Sequence, residues 1–476
     1  MATTKDTLDR GTILALVAMA LGVFVIANDF TALSVAIPEI EQDLGTDITT
    51  AQWVINGYAL IFGVLIVTGG KLADLYGRKR IFMIGSAIFA TFSVLGGLAP
   101  NVEVLIGCRA VMGIGGAMMW PAVLGMTYAL VPESKAGLAG GLILGVAGFV
   151  NAVGPMFGGL LTDELSWRWV FFVNLPIALF AMFVTQREVQ ETEIEVSDRR
   201  LDYPGVATLT IGVVALLLAL DEGSDLGFTS PTILVLFGVA VAMLVAFAMV
   251  ESRQGDHALV PRDVLKNRVF TAANVSVLLM SAIFFSALLY LPQFMTKILG
   301  YSALESGAGL LPMMGVFAAT SFVAGSLYQR LGAKPIVSVG AAFLGIGMVM
   351  LSFLDVDSSY ASLVPGMVVL GIGVGLFYSS VTTSAVTALD PSRASLAGGI
   401  VYMCQIAGGA IGLGLNTAIV VSAGSSNQDL AEGISTAFKV DAALAGVGLV
   451  VALLYVGGTV SHEAHRTRRW RHRAHA

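Results

Sequence analysis

Fourteen stretches of mostly apolar residues follow one another along this chain, parted by short polar or Gly/Pro-marked turns. They are predicted near 11–38, 52–73, 81–99, 104–131, 137–161, 169–186, 204–221, 231–250, 269–292, 303–327, 335–354, 360–388, 395–423 and 438–460. A helix crosses a bilayer with ~20 such residues. The hydrocarbon accepts little else, because backbone N–H and C=O groups must be satisfied within the segment. Composition agrees: 56% of the 476 residues are apolar and only 12% charged, with a mean hydropathy of +0.84. A soluble chain of this length carries about twice that charge. A soluble enzyme or a nucleic-acid binder is excluded, and an all-α polytopic membrane protein is expected. The first stretch is too long for a signal-peptide core and has no convincing cleavage site, so it counts as a helix. Cys108 and Cys404 lie in apolar stretches and read as packing residues.

An even number of spans puts both termini on one side. Of the 26 Lys and Arg, 22 fall on that side by this map, including Lys5, Arg10, Lys71, Arg78, Lys79, Arg80, Arg199, Arg200 and five in the tail from Arg466 to Arg473. Only Arg168, Lys297 and Lys439 fall opposite, and Arg109 lies inside a helix. By the positive-inside rule both termini are cytoplasmic. The basic tail around Trp470 reads as a topological anchor or as a contact for anionic lipid. All five His, at 257, 462, 465, 472 and 475, fall in cytoplasmic segments, which leaves no histidine relay across the membrane.

The chain also repeats itself. Gly70 to Arg80 carries Asp74, Gly77 and Arg78, and the segment Gly325 to Lys334 has the same Gly-to-Gly spacing, with a base two residues beyond. Ala36-Ile37-Pro38 ends the first helix as Tyr290-Leu291-Pro292 ends the ninth, and Gly113-Ile114-Gly115 answers Gly371-Ile372-Gly373. Two six-helix halves with helices seven and eight inserted between them account for fourteen. The expected organisation is a cytoplasmic N-terminus 1–10, a bundle 11–186, a linker 187–203, two inserted helices 204–250, a linker 251–268, a second bundle 269–460 and a tail 461–476.

Where the halves differ, chemistry shows. Asp29 corresponds to Ile283 and Arg109 to Met367, so the two charges read as lying well inside the helices both belong to the first half. A charge in hydrocarbon costs ~2.5–3.5 kcal/mol on insertion scales and needs water, a partner or a function. Asp29 reads as a proton-coupling carboxylate whose charge depends on access to water and on nearby cations. The alternative is a permanent Asp29–Arg109 ion pair that holds helices one and four together, and Arg109 fits a structural or a tuning role equally.

These residues resemble a family. Gly70 to Arg80 is similar to the loop signature of the major facilitator superfamily, and Arg109 with Gly113, Gly115 and Gly116 resembles its fourth-helix motif. Gly145, Gly154-Pro155 and Gly158-Gly159 resemble the antiporter motif of exporters. Asn28-Asp29 with Thr31 and Ala36 to Pro38, and Trp167-Arg168-Trp169 through Asn174-Leu175-Pro176, are similar to the fourteen-helix drug:proton antiporters. The resemblance implies the major facilitator fold and proton-driven export of amphiphilic, often cationic compounds. It departs at Met112, where a polar residue is common, and at Cys404 before Gln405, where Arg is common. No deep acid is read in the second half, which argues against multi-proton coupling.

Asp74 and Arg78 can pair or cap helix ends across the interface between halves. With Gly70, Gly77 and the bend at Gly154-Pro155 they are the expected gating residues, close packing alone being the alternative for Gly154 and Pro155. In the family's architecture helices one, four, nine and twelve line a central cavity. Its candidate lining is Asn28, Trp53, Asn56, Tyr58, Trp120, Phe284, Phe285, Phe377, Tyr378 and Gln405, whose aromatic faces suit lipophilic cations at ~0.5–2 kcal/mol each. Any one of these aromatics can equally pack or face lipid.

The reading is a proton-coupled antiporter exporting amphiphilic, cationic or aromatic drugs and toxic compounds, with Asp29 setting the charge of a site for which substrate and proton compete. It is expected as a monomer in a bacterial cytoplasmic membrane, with protons, lipids and small molecules as partners, no nucleic acid, and no cofactor or metal. ATP hydrolysis is excluded, because Gly70-Lys71 has Leu65 where a phosphate loop needs its first Gly. The alternative is an exporter of an endogenous lipid or secondary metabolite without proton coupling, with helices seven and eight giving lateral access. A membrane sensor is disfavoured for want of a soluble domain.

Overall fold

The computed structural model describes residues 9–191, 201–254, 258–424 and 426–456. Lys5, Arg199, Arg200, His257 and the basic tail lie outside them. Among the described residues there is no strand, and fourteen helices are long and apolar enough to cross a membrane. They are α1 (Arg10–Asp29), α2 (Thr50–Tyr76), α3 (Arg78–Gly97), α4 (Val102–Leu130), α5 (Ala136–Glu164), α6 (Arg168–Glu188), α7 (Tyr203–Leu220), α8 (Pro231–Gln254), α9 (Arg268–Lys297), α10 (Leu304–Leu331), α11 (Ala333–Leu351), α12 (Tyr360–Thr387), α13 (Pro391–Ala423) and α14 (Asn427–Tyr455).

Helix ends are set by short polar side chains, which satisfy the first free N–H groups. Asp47 accepts from the Thr50 amide at 2.9 Å and Asn101 from that of Val104 at 2.9 Å. Ser302 with Glu305 and Ser426 with Asp429 form reciprocal capping boxes. The helical stretch that contains α1 ends at Thr31 and resumes as a helix from Leu33 to Leu44.

Helices α1–α6 form one bundle and α9–α14 another. They meet through α2 with α13, α4 with α13, and α5 with α10 and α12. Helix α7 lies against α2 and α13, and α8 packs on α7. Most of α8 is exposed, with Leu234, Val235, Val241, Val245 and Met249 on its outer surface, as suits a helix bathed in lipid on most sides. An even number of spans puts Arg10 and Tyr455, the described ends of the first and last spans, at one end of the bundle. That end is called the terminal end below, and the opposite one the far end.

One boundary corrects the sequence reading. The last helix begins at Asn427, eleven residues before the predicted start at 438. The Ser426 capping box starts it, and Ala431, Ile434, Ala437 and Phe438 bury the apolar side of a segment that reads as polar. Lys439 is therefore a helical, exposed residue rather than a loop residue. Asp441 falls fifteenth of the helix's 29 residues and is fully buried, so a deep acid does exist in the second half.

Candidate transport site

Asp29 and Arg109 meet. Both are buried, and Arg109 Nη1 donates to Asp29 Oδ2 in a salt bridge between α1 and α4. Arg109 Nε donates to the Val54 carbonyl at 2.7 Å, and its guanidinium stacks 4.3 Å from the Tyr58 ring centroid. Asn174 of α6 stands beside the carboxylate and donates to Ser93 Oγ at 3.1 Å. Arg109 Nη2 has no hydrogen-bond partner among the described residues. Removing the charge from one member of a buried pair costs ~3–5 kcal/mol, because the other charge is left without compensation. Removing either charge of this pair is therefore expected to be costly, whatever the intact pair itself contributes.

A cavity of about 550 Å³ lies between the bundles. Trp120, Phe284, Phe285, Tyr378 and Gln405 line it as the sequence suggests, and Pro155, expected as a gating residue, lines it too. Its rings are in mutual contact: Trp120 to Tyr402 at 4.6 Å, Phe284 to Phe285 at 5.7 Å and Phe284 to Tyr378 at 5.8 Å. Asn151, Gln405, Thr31, Ser34 and the buried, unpartnered Nε1 of Trp120 are its polar fixtures. Among the described residues no Asp or Glu lines it.

Five candidates lie elsewhere. Trp53 and Asn56 line a separate groove of about 360 Å³ with Leu217, Leu218 and Leu220 of the inserted α7, and with Ile406 to Thr417 of α13. They share one face of α2 by their spacing, and α7 covers that face. Tyr58 sits on the opposite face, against Arg109. Phe377 is fully buried where Gly340 lets α11 approach its backbone. Asn28 is buried outside the lining, with Nδ2 unpartnered. Asp29 itself does not line the cavity. Ala27 and Thr31 do, and a residue two positions from each points to the other side of the helix. Direct competition of substrate and proton for one carboxylate is thus not the geometry seen.

Tyr402 and Asn151 were missed. Tyr402 lies three residues before Gln405 and Asn151 four before Pro155, so helical spacing from residues already singled out would have found both. The cavity and the groove share Ala59 and Ile406, so only a thin wall parts them.

At the terminal end the gating candidates converge. Asp74 accepts from the backbone N–H of Leu396 at 2.8 Å and of Ser395 at 3.3 Å, at the start of α13. Arg78 donates to Asp74 through Nε at 3.1 Å, to the Gly125 carbonyl at 3.1 Å and to the Pro391 carbonyl at 2.5 Å. A Cβ at Gly70 would stand 2.6 Å from the Ser395 carbonyl oxygen. Lys71 donates to the Ala258 carbonyl at 3.0 Å, and Glu251 accepts from the Leu259 and Val260 amides at 3.0 and 3.2 Å. The segment after α8 is thereby tied to the same lock. Gly154 and Gly158 lie where α5 crosses Thr31 and Ala32, at the interruption of the first helix. The bundles are closed at the terminal end.

The model of the Major Facilitator Superfamily matches residues 19–413 and 314–475. The chain is 34% identical over 377 residues to the multidrug transporter protein MdtP of Bacillus subtilis (strain 168), covering 79% of this chain and 69% of that protein. It is 34% identical over 400 residues to the puromycin resistance protein pur8 of Streptomyces alboniger, covering 83% and 79%. The fold matches the human organic anion transporter MFSD10 (TETRAN) with a TM-score of 0.67 at 13% identity, over 93% of this chain and 99% of that one. The chain belongs to the Major Facilitator Superfamily.

Proposed function

We propose that this protein is a proton-coupled antiporter that exports amphiphilic, cationic or aromatic drugs from the cytoplasm by alternating access. The observation that carries the reading is the buried Asp29–Arg109 pair, one face of α1 away from an aromatic cavity. Ionised Asp29 fastens α1 to α4, and protonated Asp29 releases them, so a proton changes how the first bundle packs. Cavity and carboxylate sit on opposite faces of one helix, and coupling passes through the movement of that helix instead of a shared site. Support for export of drugs comes from the relatives' names, and from a cavity whose rings can hold a lipophilic cation without any carboxylate.

With the termini in the cytoplasm, the Asp74–Arg78 lock closes the cytoplasmic side, Gly70 and Gly77 let it form, and Pro155 bends α5 around the substrate. One proton moving down ~100 mV releases ~2.3 kcal/mol and a pH unit adds ~1.4 kcal/mol. Together these sustain a ratio of several hundredfold for an uncharged substrate, whereas exchange of one proton for a monovalent cation moves no net charge and draws on the pH term alone, about tenfold per unit. The protein acts without a cofactor, as a monomer in a bacterial cytoplasmic membrane. The test is dye efflux in inverted vesicles with and without an uncoupler. Asp29→Asn is expected to abolish the uncoupler-sensitive part at a normal protein level, and undiminished gradient-driven efflux by that variant overturns the reading.

Export of an endogenous lipid or secondary metabolite is the second reading. The groove beside α7, lined by six Leu and parted from the cavity by a thin wall at Ala59 and Ile406, favours it. Saturable lipid efflux insensitive to the uncoupler would establish it in place of the first.

A further inference from the structure

The second bundle holds a carboxyl with no cation beside it. Asp441 lies at the middle of α14, fully buried. Asn416 Nδ2 of α13 donates to both its oxygens, at 3.1 and 3.0 Å, and also to Ser286 Oγ of α9 at 2.8 Å. Ser286 reaches the carboxyl as well. No Lys or Arg among the described residues forms an ion pair with it, in contrast to Asp29.

The surroundings offer it nothing else charged. The helices packed on α14 are α9, α11 and α13. Arg268 and Lys297 stand at the two ends of α9, Lys334 near the start of α11 and Arg393 near that of α13, all far from the middle of α14. Lys439 is on the exposed face of α14 itself, and Glu432 is exposed and Asp429 caps its first turn. Tyr290 of α9 is the titratable group that faces Asp441. An uncompensated carboxylate at this depth is costly, whereas a neutral carboxylic acid there is a hydrogen-bond donor. Asn416 Oδ1 is a buried acceptor without a partner. An amide gives the ionised carboxyl a donor through Nδ2 and, turned about its own axis, gives the protonated one an acceptor through Oδ1. The site is built to hold either form.

A vestibule lies close to this cluster. About 560 Å³ in volume, it opens between α9, α13 and the start of α14, with Gln293, Lys297, Ser426 and Asn427 in its lining. At its inner wall the Tyr290 and Thr417 hydroxyls are hydrogen-bonded at 2.8 Å. Tyr290 follows Ser286 by one helical turn and Thr417 adjoins Asn416, so one layer of hydroxyls parts the vestibule from the carboxyl cluster.

We propose that Asp441, held by Asn416 and Ser286, is a second proton-binding site in the second bundle, loaded from the far-end vestibule through the Tyr290–Thr417 hydroxyl pair. The inference rests on the proton-coupled reading above and adds a second proton to it. A proton taken from the vestibule neutralises Asp441 and leaves when the bundles reopen toward the terminal end.

Reconstituted vesicles with imposed pH and voltage gradients test this through protons moved per substrate molecule. Asp441→Asn keeps side-chain size and is expected to retain gradient-driven export, with the proton count falling by one and, for an uncharged substrate, the limiting accumulation falling to about the square root of the wild-type ratio if two protons become one. An unchanged count in Asp441→Asn, with coupling lost in Asp29→Asn, overturns the second site and leaves the proposed function intact. Full coupling retained by Asp29→Asn overturns the proposed function instead. If Asp441→Asn does not fold, Asp441→Glu and Thr417→Val serve. The first is expected to shift the midpoint pH of transport by about half a unit or more and the second to slow proton uptake, and wild-type values in both overturn the inference.

Discussion

The loop between α2 and α3 and the loop between α10 and α11 have one backbone and two chemistries. Each ends its first helix on a glycine at positive φ, +104° at Gly77 and +81° at Gly332. Each begins seven residues earlier with a glycine that lets helices of opposite bundles touch: Gly70 meets the Ser395 carbonyl, and Gly325 meets Gly137 of α5, glycine against glycine. The side chains then diverge. Asp74 and Arg78 are buried in a web that reaches across to α13, while their counterparts by position, Gln329 and Ala333, make no such bridge, Gln329 being exposed. Glycine thus supplies the shape of the turn in both halves, and charge supplies the lock in one. A symmetric pair of locks would have to break together. On the alternating-access reading proposed above, a single lock would free α13 while the close backbone contact of α5 with α10 stays in place.

The largest expected effect breaks the comparison at its charged end. Asp74→Ala leaves the buried Arg78 guanidinium without its carboxylate and frees two amides at the start of α13, a loss of about 3–5 kcal/mol from the closed state. Turnover in a dye-efflux assay is expected to fall at least tenfold, with substrate binding changed little. Gln329→Ala, at the matching place in the second half, is expected to leave turnover within about twofold. Equal losses in the two variants would mean that both loops lock.

A smaller effect tests what the halves share. Gly77→Ala and Gly332→Ala each force a residue with a Cβ into backbone that favours glycine, at a cost of about 1–3 kcal/mol. Both are expected to lower the midpoint of thermal unfolding in detergent by a few degrees. Gly77→Ala should lower it more, because its Cβ would stand 2.7 Å from the Glu191 carboxylate that accepts from the Lys79 and Arg80 amides. A drop confined to one of the two would show that the turns are not equivalent.

The shared geometry was legible in the sequence and the placement of side chains only partly. Apolar length is a one-dimensional signal, so the number of spans and the Gly70–Arg80 and Gly325–Lys334 repeat could be read directly. The pairing of Asp29 with Arg109 could be read too, since two lone charges in hydrocarbon seek each other. Asp441 could not. It follows a polar segment that looks like a loop, and it is buried only because α9 and α13 bring Ser286 and Asn416 to it. Trp53 and Asn56 were assigned to the wrong wall for a related reason: which face of α2 meets the cavity is decided by where the inserted α7 packs, and sequence spacing carries no record of that.

The smallest expected effect concerns an ion pair at the far end of the first half. Asp43, in the helix that continues α1, accepts from Trp167 Nε1 at 3.0 Å and pairs with Arg168 at 2.5 Å, joining that helix to the start of α6. In the second half the last turn of α9 is tied instead to the start of α10, by a neutral hydrogen bond between the Thr296 and Ser306 hydroxyls at 2.9 Å. The Arg168 hydrogen bond, helped by that from Trp167, holds the Asp43 carboxyl below its usual value of 3.8. A carboxyl whose folded value is lowered contributes stability above its unfolded value and loses it as pH falls through the folded one. The contribution is therefore complete near neutrality, begins to fade as pH drops toward 3.8, and is gone once Asp43 is protonated in the fold. Both side chains are partly exposed and the pair is screened by water and salt, so Asp43→Asn is expected to cost only about a degree or two in unfolding midpoint at pH 7. The variant should then match the wild type at the most acidic pH at which the protein stays in solution. A wild-type midpoint that falls with pH no more than that of Asp43→Asn would mean that this ion pair fastens nothing, and that the ion pairs that set the first half apart are the buried ones, Asp29–Arg109 and Asp74–Arg78.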